Sequence, residues 1–341
     1  MLIATLKNLK ASQTDLNQYF SQNSLSVDPL EYFDITGKQG WFLGSNAEFN
    51  LKQKIESAGK PLKDWDVKIN YGIKTGLNEA FIINEEKKNE LIATDPKSAE
   101  IIKPILRGRD IKRYGYEFAG LYLINSHNGY KTENSPNGDG VFKALDINNY
   151  PAIKEHLDSF EPGLSKRQDK GKTQYNLRNC AYVEEFEKVK VAWNRIASKK
   201  EFGLVEKSAL ISDSMHFFTG SHLKYITGVL NSKLLQFLLD LVIGEAAGGN
   251  AGNADNVGNL SIPLLDTTEK QAIAGQIEDL VEQILEIKTP RQTSSATPQE
   301  GNLSGDVAQG NFDTASLENK IDELVFELYG LGEGERALVL G

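Results

Sequence analysis

Three groups of basic side chains lie in segments that lack hydrophobic periodicity, and such groups could bind a polyanion. The first group places four cations within seven residues, namely Arg107, Arg109, Lys112 and Arg113. The second group consists of Lys166, Arg167, Lys170, Lys172 and Arg178. The third group consists of Lys188, Lys190, Asn194, Arg195, Lys199 and Lys200. Lys and Arg neutralise phosphates, whereas the planar side chains of Arg and Asn can read base edges. The alternative interpretation of all three groups is a solvated charged face.

The charge of the chain is unevenly distributed. The formal net charge is −9, but residues 101–200 carry 18 basic and 12 acidic side chains, a net charge of +6. Residues 201–341 carry 8 basic and 21 acidic side chains. Because a polyanion responds to the local field of a face, a basic middle third could bind nucleic acid in a chain that is acidic as a whole.

Other classes of chemistry find little support in the residues. The lone cysteine, Cys180, excludes a disulfide framework and any multi-cysteine metal site. Neither a phosphate-binding loop of the Gly-x-x-x-x-Gly-Lys type nor a Gly-x-Ser-x-Gly elbow occurs. Asp66-Val-Lys68 and Asp110-Ile-Lys112 match the acid-x-lysine half of a metal-dependent nuclease, so that activity stays open as an alternative. Without a signal peptide or an apolar run long enough to span a bilayer, the chain is expected to be cytoplasmic.

Hydrophobic periodicity predicts the elements that would position these groups, and they amount to an α+β fold. Strands are predicted over Val67–Tyr71, Ala80–Ile83, Leu121–Ile124, Val189–Trp193 and Met215–Phe218. Helices are predicted from a capping box at Ser45 and Glu48, at Ser98–Lys103 before Pro104, from Tyr150, and over Ser221–Leu241, Thr267–Ile287 and Ser316–Tyr329. The last two helices are expected to pair, with a flexible connection over 289–314. Between the first two strands, Gly72 and Gly76 indicate a tight turn from which Lys74 and Asn78 would project. A purely structural turn is an equally good interpretation.

Several blocks, in order along the chain, resemble a known family. They are Tyr71–Asn84, Ile102–Tyr114, Tyr150–Leu157, Leu164–Gly171, Gly228–Lys233, Ile262–Leu264 with Glu269–Ile273, and Ile321–Gly330. Together they are similar to the TaqI-like C-terminal specificity domain of type IIG restriction–modification enzymes and adenine-specific DNA methyltransferases. The last two blocks also resemble the spacer helices of type I specificity subunits. The resemblance implies a mixed-sheet target-recognition domain with a C-terminal helical pair.

The family's catalytic residues are not found in this sequence. In the family, an upstream domain holds S-adenosylmethionine and carries an Asn/Asp-Pro-Pro-Tyr/Phe motif, but none of the ten prolines here follows another. The resemblance therefore implies that this chain has no catalytic residues and binds no cofactor or metal itself. S-adenosylmethionine and Mg²⁺ are expected in the missing catalytic part. The chain would be either the C-terminal portion of a longer enzyme or a free-standing specificity subunit.

The resulting hypothesis divides the chain into three parts and assigns roles to the polar residues. Residues 1–60 would contact the catalytic part, residues 61–265 would recognise DNA, and residues 266–341 would form the helical pair. The partners would be double-stranded DNA and a methyltransferase or nuclease domain or subunit, and no membrane. Phosphates would be contacted by Arg107, Arg109, Lys112, Arg113, Lys166, Arg167, Lys170 and Lys172. Bases would be read by Arg178, Asn194 and Arg195, with Lys74 and Asn78 as further contacts. The alternatives are a protein–protein adaptor that does not bind DNA, and a stand-alone nuclease.

Overall fold

The computed structural model of the protein describes residues 2–4, 24–26, 45–131, 141–196, 200–243, 252–288 and 314–341. Most of the expected N-terminal leader lies outside these residues. So does the predicted flexible connection, except for Thr314, and so does Lys199 of the third basic group.

The strands are short, as their lengths in the sequence suggest. They are β1 (Leu2–Ala4), β2 (Ser24–Ser26), β3 (Lys60–Pro61), β4 (Val67–Tyr71), β5 (Ile82–Asn84), β6 (Ile102–Leu106), β7 (Leu121–Ile124), β8 (Tyr130–Lys131), β9 (Val141–Phe142), β10 (Lys190–Asn194), β11 (Phe202–Val205), β12 (Leu210–Ile211), β13 (Met215–Gly220) and β14 (Ser261–Ile262).

The helices vary from a single turn to six turns. They are α1 (Asn46–Ser57), α2 (Asn78–Phe81), α3 (Glu85–Thr94), α4 (Pro151–Asp158), α5 (Gly163–Lys166), α6 (Val183–Phe186), α7 (Leu223–Asn231), α8 (Lys233–Ile243), α9 (Ala254–Gly258), α10 (Thr268–Lys288), α11 (Ala315–Leu328) and α12 (Glu333–Leu340). In the described part of the chain, none of them combines the length and hydrophobicity needed to cross a membrane.

Two four-stranded sheets form the centre of the fold. The first is antiparallel, in the order β11-β10-β13-β4, and its register sets Trp193 opposite His216 and His216 opposite Tyr71. The second has the order β12-β6-β7-β5 and is mixed, because β12 runs parallel to β6 while the other neighbours are antiparallel. A bridge between Ile73 and Ser212 lies just beyond β4 and β12. The fold is therefore α+β with a mixed sheet, as the sequence predicts.

The first sheet is buried on both faces, so it separates two hydrophobic cores. Trp193 and Phe218 point into a core that contains α7, α10 and α11, whereas Ala192 and Phe217 point into a core that contains the second sheet and α4. This explains why β10 and β13 read as continuous apolar runs, because only a half-exposed strand needs to alternate with polar residues.

The C-terminal helices pair as predicted. Ile277 and Val281 of α10 and Ile321 and Val325 of α11 are fully buried in the same core. A further helix, α12, follows them and is not among the predictions. The same core also includes α1 residues, so it draws on all three predicted divisions of the chain. The boundaries at residues 60 and 265 stay a prediction.

Local signals at helix ends predict some boundaries and miss others. The capping box at Ser45 is confirmed, because the Glu48 amide donates to Ser45 Oγ over 3.3 Å and the Ser45 amide donates to Glu48 Oε2 over 2.6 Å. The long helix predicted over 221–241 is wrong, since the backbone of Ser232 is extended between α7 and α8. A distant carboxylate explains the new start, because Asp322 Oδ1 accepts a 2.8 Å hydrogen bond from the Lys233 amide.

Two predictions in the second sheet also need correction. The strand predicted from Ala80 begins only at Ile82, after the short helix α2. The helix predicted over 98–103 is a 3-10 turn over Pro96–Glu100, and the chain then enters β6 with Pro104 inside the strand. Short apolar runs fit a strand or a buried helical turn equally well, so periodicity alone does not separate them.

Candidate nucleic-acid interface

The ends of several strands meet at one edge of the two sheets. The Ile73 amide, just after β4, donates to the Ile211 carbonyl over 2.7 Å, and the Ser212 amide donates to the Leu106 carbonyl over 2.9 Å. The Gly108 amide donates to Ser214 Oγ over 3.1 Å, which ties the end of β6 to the start of β13. Segments that are distant in sequence thereby become neighbours.

Arg167 joins the glycine turn to the second basic group from inside the protein. Its Nη1 donates to the carbonyls of Thr75, over 2.5 Å, and Asp169, over 2.7 Å. Its Nη2 donates to the carbonyls of Gln174, over 2.9 Å, and Asn176. The residue is only 5% exposed, and burial lowers the pKa of its guanidinium to about 10, so it stays charged at neutral pH. This geometry favours a structural role for Arg167, and its expected phosphate contact stays a prediction.

We call the surface built from these segments the loop edge, defined as residues 71–78, 107–110, 165–178, 194–196 and 212–214. It brings together members of all three basic groups and the glycine turn. Arg113, the last cation of the first group, is not part of it, as described below.

Asp169 forms ion pairs with two exposed cations at the loop edge. Its carboxylate oxygens lie 2.9 Å from Lys74 Nζ and 3.3 Å from Arg178 Nη1, and these two cationic side chains are 49% and 57% exposed. Gly76 has a positive φ of 73°, and a Cβ added there would lie 3.0 Å from Asp169 Cβ, so the turn approaches this residue closely. Asn78 Oδ1 accepts a 2.6 Å hydrogen bond from Thr75 Oγ1. Exposed ion pairs contribute little free energy, so Lys74 and Arg178 can exchange Asp169 for a phosphate at small cost.

The lysines of the second group lie on the surface. Lys166, Lys170 and Lys172 are all exposed. Lys170 Nζ donates to the Ser165 carbonyl over 2.7 Å, and the Lys172 amide donates to Asn128 Oδ1 over 2.6 Å. Their contacts within the protein leave their ammonium groups available to a ligand.

The first basic group is divided by its contacts. Arg107 is held by Asp110 through Nε and Nη2, over 3.2 and 3.0 Å, whereas the side chain of Arg109 is exposed. Lys112 Nζ donates to the Arg109 carbonyl over 3.0 Å and lies 3.6 Å from Glu117. Arg109 is thus the most available cation of this group within the described residues.

Arg113 lies at the junction with the helical layer. Its Nε is 2.9 Å from Glu318 Oε2 on α11, and its carbonyl accepts a 2.9 Å hydrogen bond from Lys288 Nζ on α10. Its guanidinium carbon lies 5.5 Å from the centre of the Tyr114 ring. These contacts favour a packing role for Arg113, and its expected phosphate contact stays a prediction.

The third group supplies two side chains at the end of β10. Asn194 Oδ1 accepts a 2.9 Å hydrogen bond from the Ile196 amide, and Asn194 Nδ2 lies against Gly108, where an added Cβ would be 2.5 Å away. Arg195 is half-buried, and its amide donates to the Ser214 carbonyl over 3.1 Å. Within the described residues, no carboxylate forms a salt bridge with its guanidinium. Arg195 therefore presents an uncompensated charge at the loop edge.

The acid-x-lysine pairs have other partners. Asp66 Oδ2 accepts a 2.7 Å hydrogen bond from Ser221 Oγ, and Lys68 Nζ lies 3.0 Å from Glu185. Asp110 is paired with Arg107. Among the residues that the structure describes, no cluster of three or more His, Cys, Asp or Glu side chains is placed to hold a metal ion. The described structure thus gives both acid-x-lysine pairs other partners, and the nuclease alternative stays a prediction.

Sequence reasoning missed several residues that organise the loop edge. Asp169 is an acidic residue inside a basic segment, and its type alone does not indicate which cations it contacts. Ser214 lies in no sequence pattern that would indicate its contact with Gly108. Tyr71 and His216 fit their strands as ordinary aromatic residues. Their importance comes from cross-strand neighbours, which one sequence does not reveal.

Comparison with known proteins supports the resemblance seen in the sequence. Residues 103–247 match the TaqI-like C-terminal specificity domain, and this range contains all three basic groups. The type II methyltransferase M.MjaIV of Methanocaldococcus jannaschii is 22% identical over 224 residues, which cover 63% of this chain and 70% of that protein.

A solved structure gives a likeness of fold. The type IIL restriction–modification enzyme MmeI, solved in complex with DNA, matches with a TM-score of 0.55 and 15% identity over 82% of this chain and 35% of MmeI. The type IIG restriction endonuclease BpuSI matches with a TM-score of 0.39 and 16% identity over 83% of this chain and 33% of BpuSI. The chain spans about one third of the length of these two enzymes.

Proposed function

We propose that this chain, which carries a TaqI-like C-terminal specificity domain at residues 103–247, recognises a specific double-stranded DNA sequence for a restriction–modification system. It would direct adenine methylation, cleavage or both by an associated catalytic domain. The observation that carries the proposal is the loop edge, where basic groups far apart in sequence form one surface of the matched domain. The relatives support it, since one is a type II methyltransferase and another was solved on DNA.

The exposed cations of the loop edge would position the duplex. Arg109, Lys166, Lys170 and Lys172 have free or weakly held charges, and Lys74 can exchange Asp169 for a phosphate. Contacts of this kind set the register of a protein on DNA and carry no sequence information. They would supply most of the affinity and its dependence on salt.

The planar side chains at the same edge would read bases. Arg195 can donate two hydrogen bonds to guanine, and Asn194 suits adenine, because each side chain matches the major-groove pattern of that base. Arg178 is the third candidate, since it is 57% exposed and, within the described residues, pairs with no carboxylate other than the partly buried one of Asp169. The half-buried backbone around Asn194 and Arg195 fixes their starting points, which a reader of base edges requires.

The catalytic chemistry is proposed to lie in an associated domain or subunit. This chain holds no adjacent prolines, so it cannot present the Asn/Asp-Pro-Pro motif of an adenine methyltransferase. S-adenosylmethionine and Mg²⁺ would therefore bind to the partner, which would supply methyl transfer and cleavage. A cytoplasmic location is part of the same proposal.

Selection from a random duplex pool tests this function directly. The chain, alone and with its catalytic partner, should enrich one short sequence. On that sequence Arg195→Ala should cost about 1–3 kcal/mol and relax selectivity at one position, while non-specific binding stays nearly constant. Lys320→Ala is the matched control, because Lys320 is an exposed cation on α11 in the helical layer. If neither form bound any duplex, the protein–protein adaptor would replace this proposal.

A further inference from the structure

A large aromatic side chain is exposed at the loop edge. Tyr71 is the last residue of β4 and is 55% exposed. Ile196, which follows Arg195 at the end of β10, is also 55% exposed. Single exposed apolar residues are common on proteins, but two of them beside basic groups form a surface suited to a partner that is both charged and flat.

The ring of Tyr71 is held in place by its cross-strand neighbours. It packs against the His216 ring with 4.7 Å between the centres and an angle of 80° between the planes. His216 packs in turn against Trp193, with 5.6 Å between the centres, and Trp193 Nε1 donates to the Gly252 carbonyl over 2.8 Å. The three rings form a row across β4, β13 and β10, so the exposed ring stands on a rigid and largely buried support.

His216 keeps this support uncharged. It is 1% exposed, and its Nδ1 has no hydrogen-bond partner among the described residues. Burial, with the charge of Arg195 as a second cause, lowers the pKa of His216 to about 4. At neutral pH the imidazole is therefore a neutral ring between Tyr71 and Trp193. Arg195 follows Trp193 by two residues along the chain, so it lies at the β10 end of this row.

We infer that Tyr71 stacks on a nucleobase of the bound duplex, with Ile196 as its apolar neighbour and Arg195 beside it. This inference rests on the proposed function and adds the residue that engages a base by its face. Every base offers a face to an aromatic ring, and apolar side chains at DNA interfaces insert between base steps. The exposed cations that the loop edge brings together, among them Lys74 three residues after Tyr71, favour DNA as the occupant over an apolar protein segment.

Fluorescence of 2-aminopurine tests the stacking, because the emission of this base changes when its stacking changes. The base is placed at each position of the selected duplex in turn, and the chain is added. We expect one position, or two adjacent positions, to change emission with the wild-type chain and with Tyr71→Phe. Tyr71→Ala should abolish the change and weaken binding to the selected duplex about tenfold. Phe49→Ala is the matched control, since Phe49 is an exposed aromatic residue on α1 and should leave both readouts unchanged.

The possible failures of the two proposals can be told apart. Absence of duplex binding by the wild-type chain would overturn the proposed function itself. Specific binding without an emission change at any position would overturn stacking alone, and this result does not depend on how any variant folds. A Tyr71→Ala or Tyr71→Leu chain that melts like the wild type and keeps the emission change would also overturn it. The inference would also be overturned if these variants changed only the activity of the catalytic partner and left duplex binding and the emission change as in the wild type.

Discussion

The loop edge and the junction between Arg113 and the helical layer use the same kinds of side chain for opposite purposes. At the loop edge, Lys74 and Arg178 share one carboxylate and are about half exposed. At the junction, the paired side chains of Arg113 and Glu318 are 31% and 18% exposed, and the Arg113 carbonyl also accepts a hydrogen bond from Lys288 Nζ. The less an ion pair is exposed, the more it costs to break, whereas an exposed pair exchanges partners readily. Burial and partners, not the charge itself, thus separate the cations proposed to bind DNA from those that pack inside the protein.

The largest expected effect is a loss of stability caused by a substitution in the helical layer, away from the loop edge. Ile321 is fully buried between the C-terminal helices, so Ile321→Ala should lower the free energy of unfolding by about 2–5 kcal/mol. Leu324→Ala should cost less, roughly 1 kcal/mol, because Leu324 is only half-buried. Urea unfolding measures both changes. Equal losses from the two variants would contradict the packing of α11.

The next effect concerns the row of rings beneath the loop edge. The pKa of His216 is about 4 in the folded protein and 6.5 when unperturbed, so the folded state binds fewer protons between these values. Stability should therefore fall as the pH drops from about 6.5 to about 4, by roughly 3 kcal/mol in total. His216→Phe should remove this part of the pH dependence in urea titrations at several pH values. A remaining part is expected in the variant, because burial also lowers the pKa values of His127 and His156. Identical pH profiles would show that His216 does not titrate as its burial implies.

The adjacent cations Lys166 and Arg167 allow an exposed and a buried side chain of the same basic group to be compared. Arg167→Lys should cost about 2 kcal/mol of stability, because one ammonium cannot donate to the four carbonyls that the guanidinium reaches. Lys166→Ala should change stability by less than about 0.5 kcal/mol, since Lys166 is exposed. Thermal unfolding and DNA titration should give opposite rankings for the two variants. The same ranking in both measurements would mean that burial does not divide their roles.

The smallest expected effect compares two arginines of one group. Arg109→Ala should lower the slope of log binding constant against log salt by about one, because one phosphate contact is lost. Arg113→Ala should leave that slope unchanged, since Glu318 and the helical layer occupy its side chain. DNA titrations at several salt concentrations measure both slopes. A reduced slope for Arg113→Ala would return it to the DNA interface.

Local patterns in the sequence predicted the elements whose signals are themselves local. The capping box of α1 and the apolar stripes of α10 and α11 need only neighbours within a few residues. The break at Ser232 has a local and a distant cause, because Ser232 Oγ accepts from the Leu235 amide over 3.3 Å, while the Lys233 amide donates to Asp322, far along the chain. The local cap could have been read from the serine, but the contribution of Asp322 depends on the fold.

The types of residue in the candidate site were predictable from the sequence, but which of them are exposed and which pack inside the protein was not. The basic groups pointed to segments of which the structure brings several together at one edge, and their contact with DNA stays a prediction. Nothing in the sequence distinguishes Lys166 from Arg167, which are adjacent, or Arg109 from Arg113. Their roles depend on which side chain turns inward, and this follows from carbonyls and carboxylates contributed by other segments.

The contact between Gly108 and Asn194 has an evolutionary consequence. Any side chain at position 108 would begin 2.5 Å from Asn194 Nδ2, so the amide would have to turn away or be replaced. Position 108, in the turn after β6, and position 194, at the end of β10, are thus bound into a single inherited unit. A lineage that acquires a new base preference through residue 194 must keep glycine at position 108 or change both residues together. Paired substitutions at these two positions would mark such events among descendants.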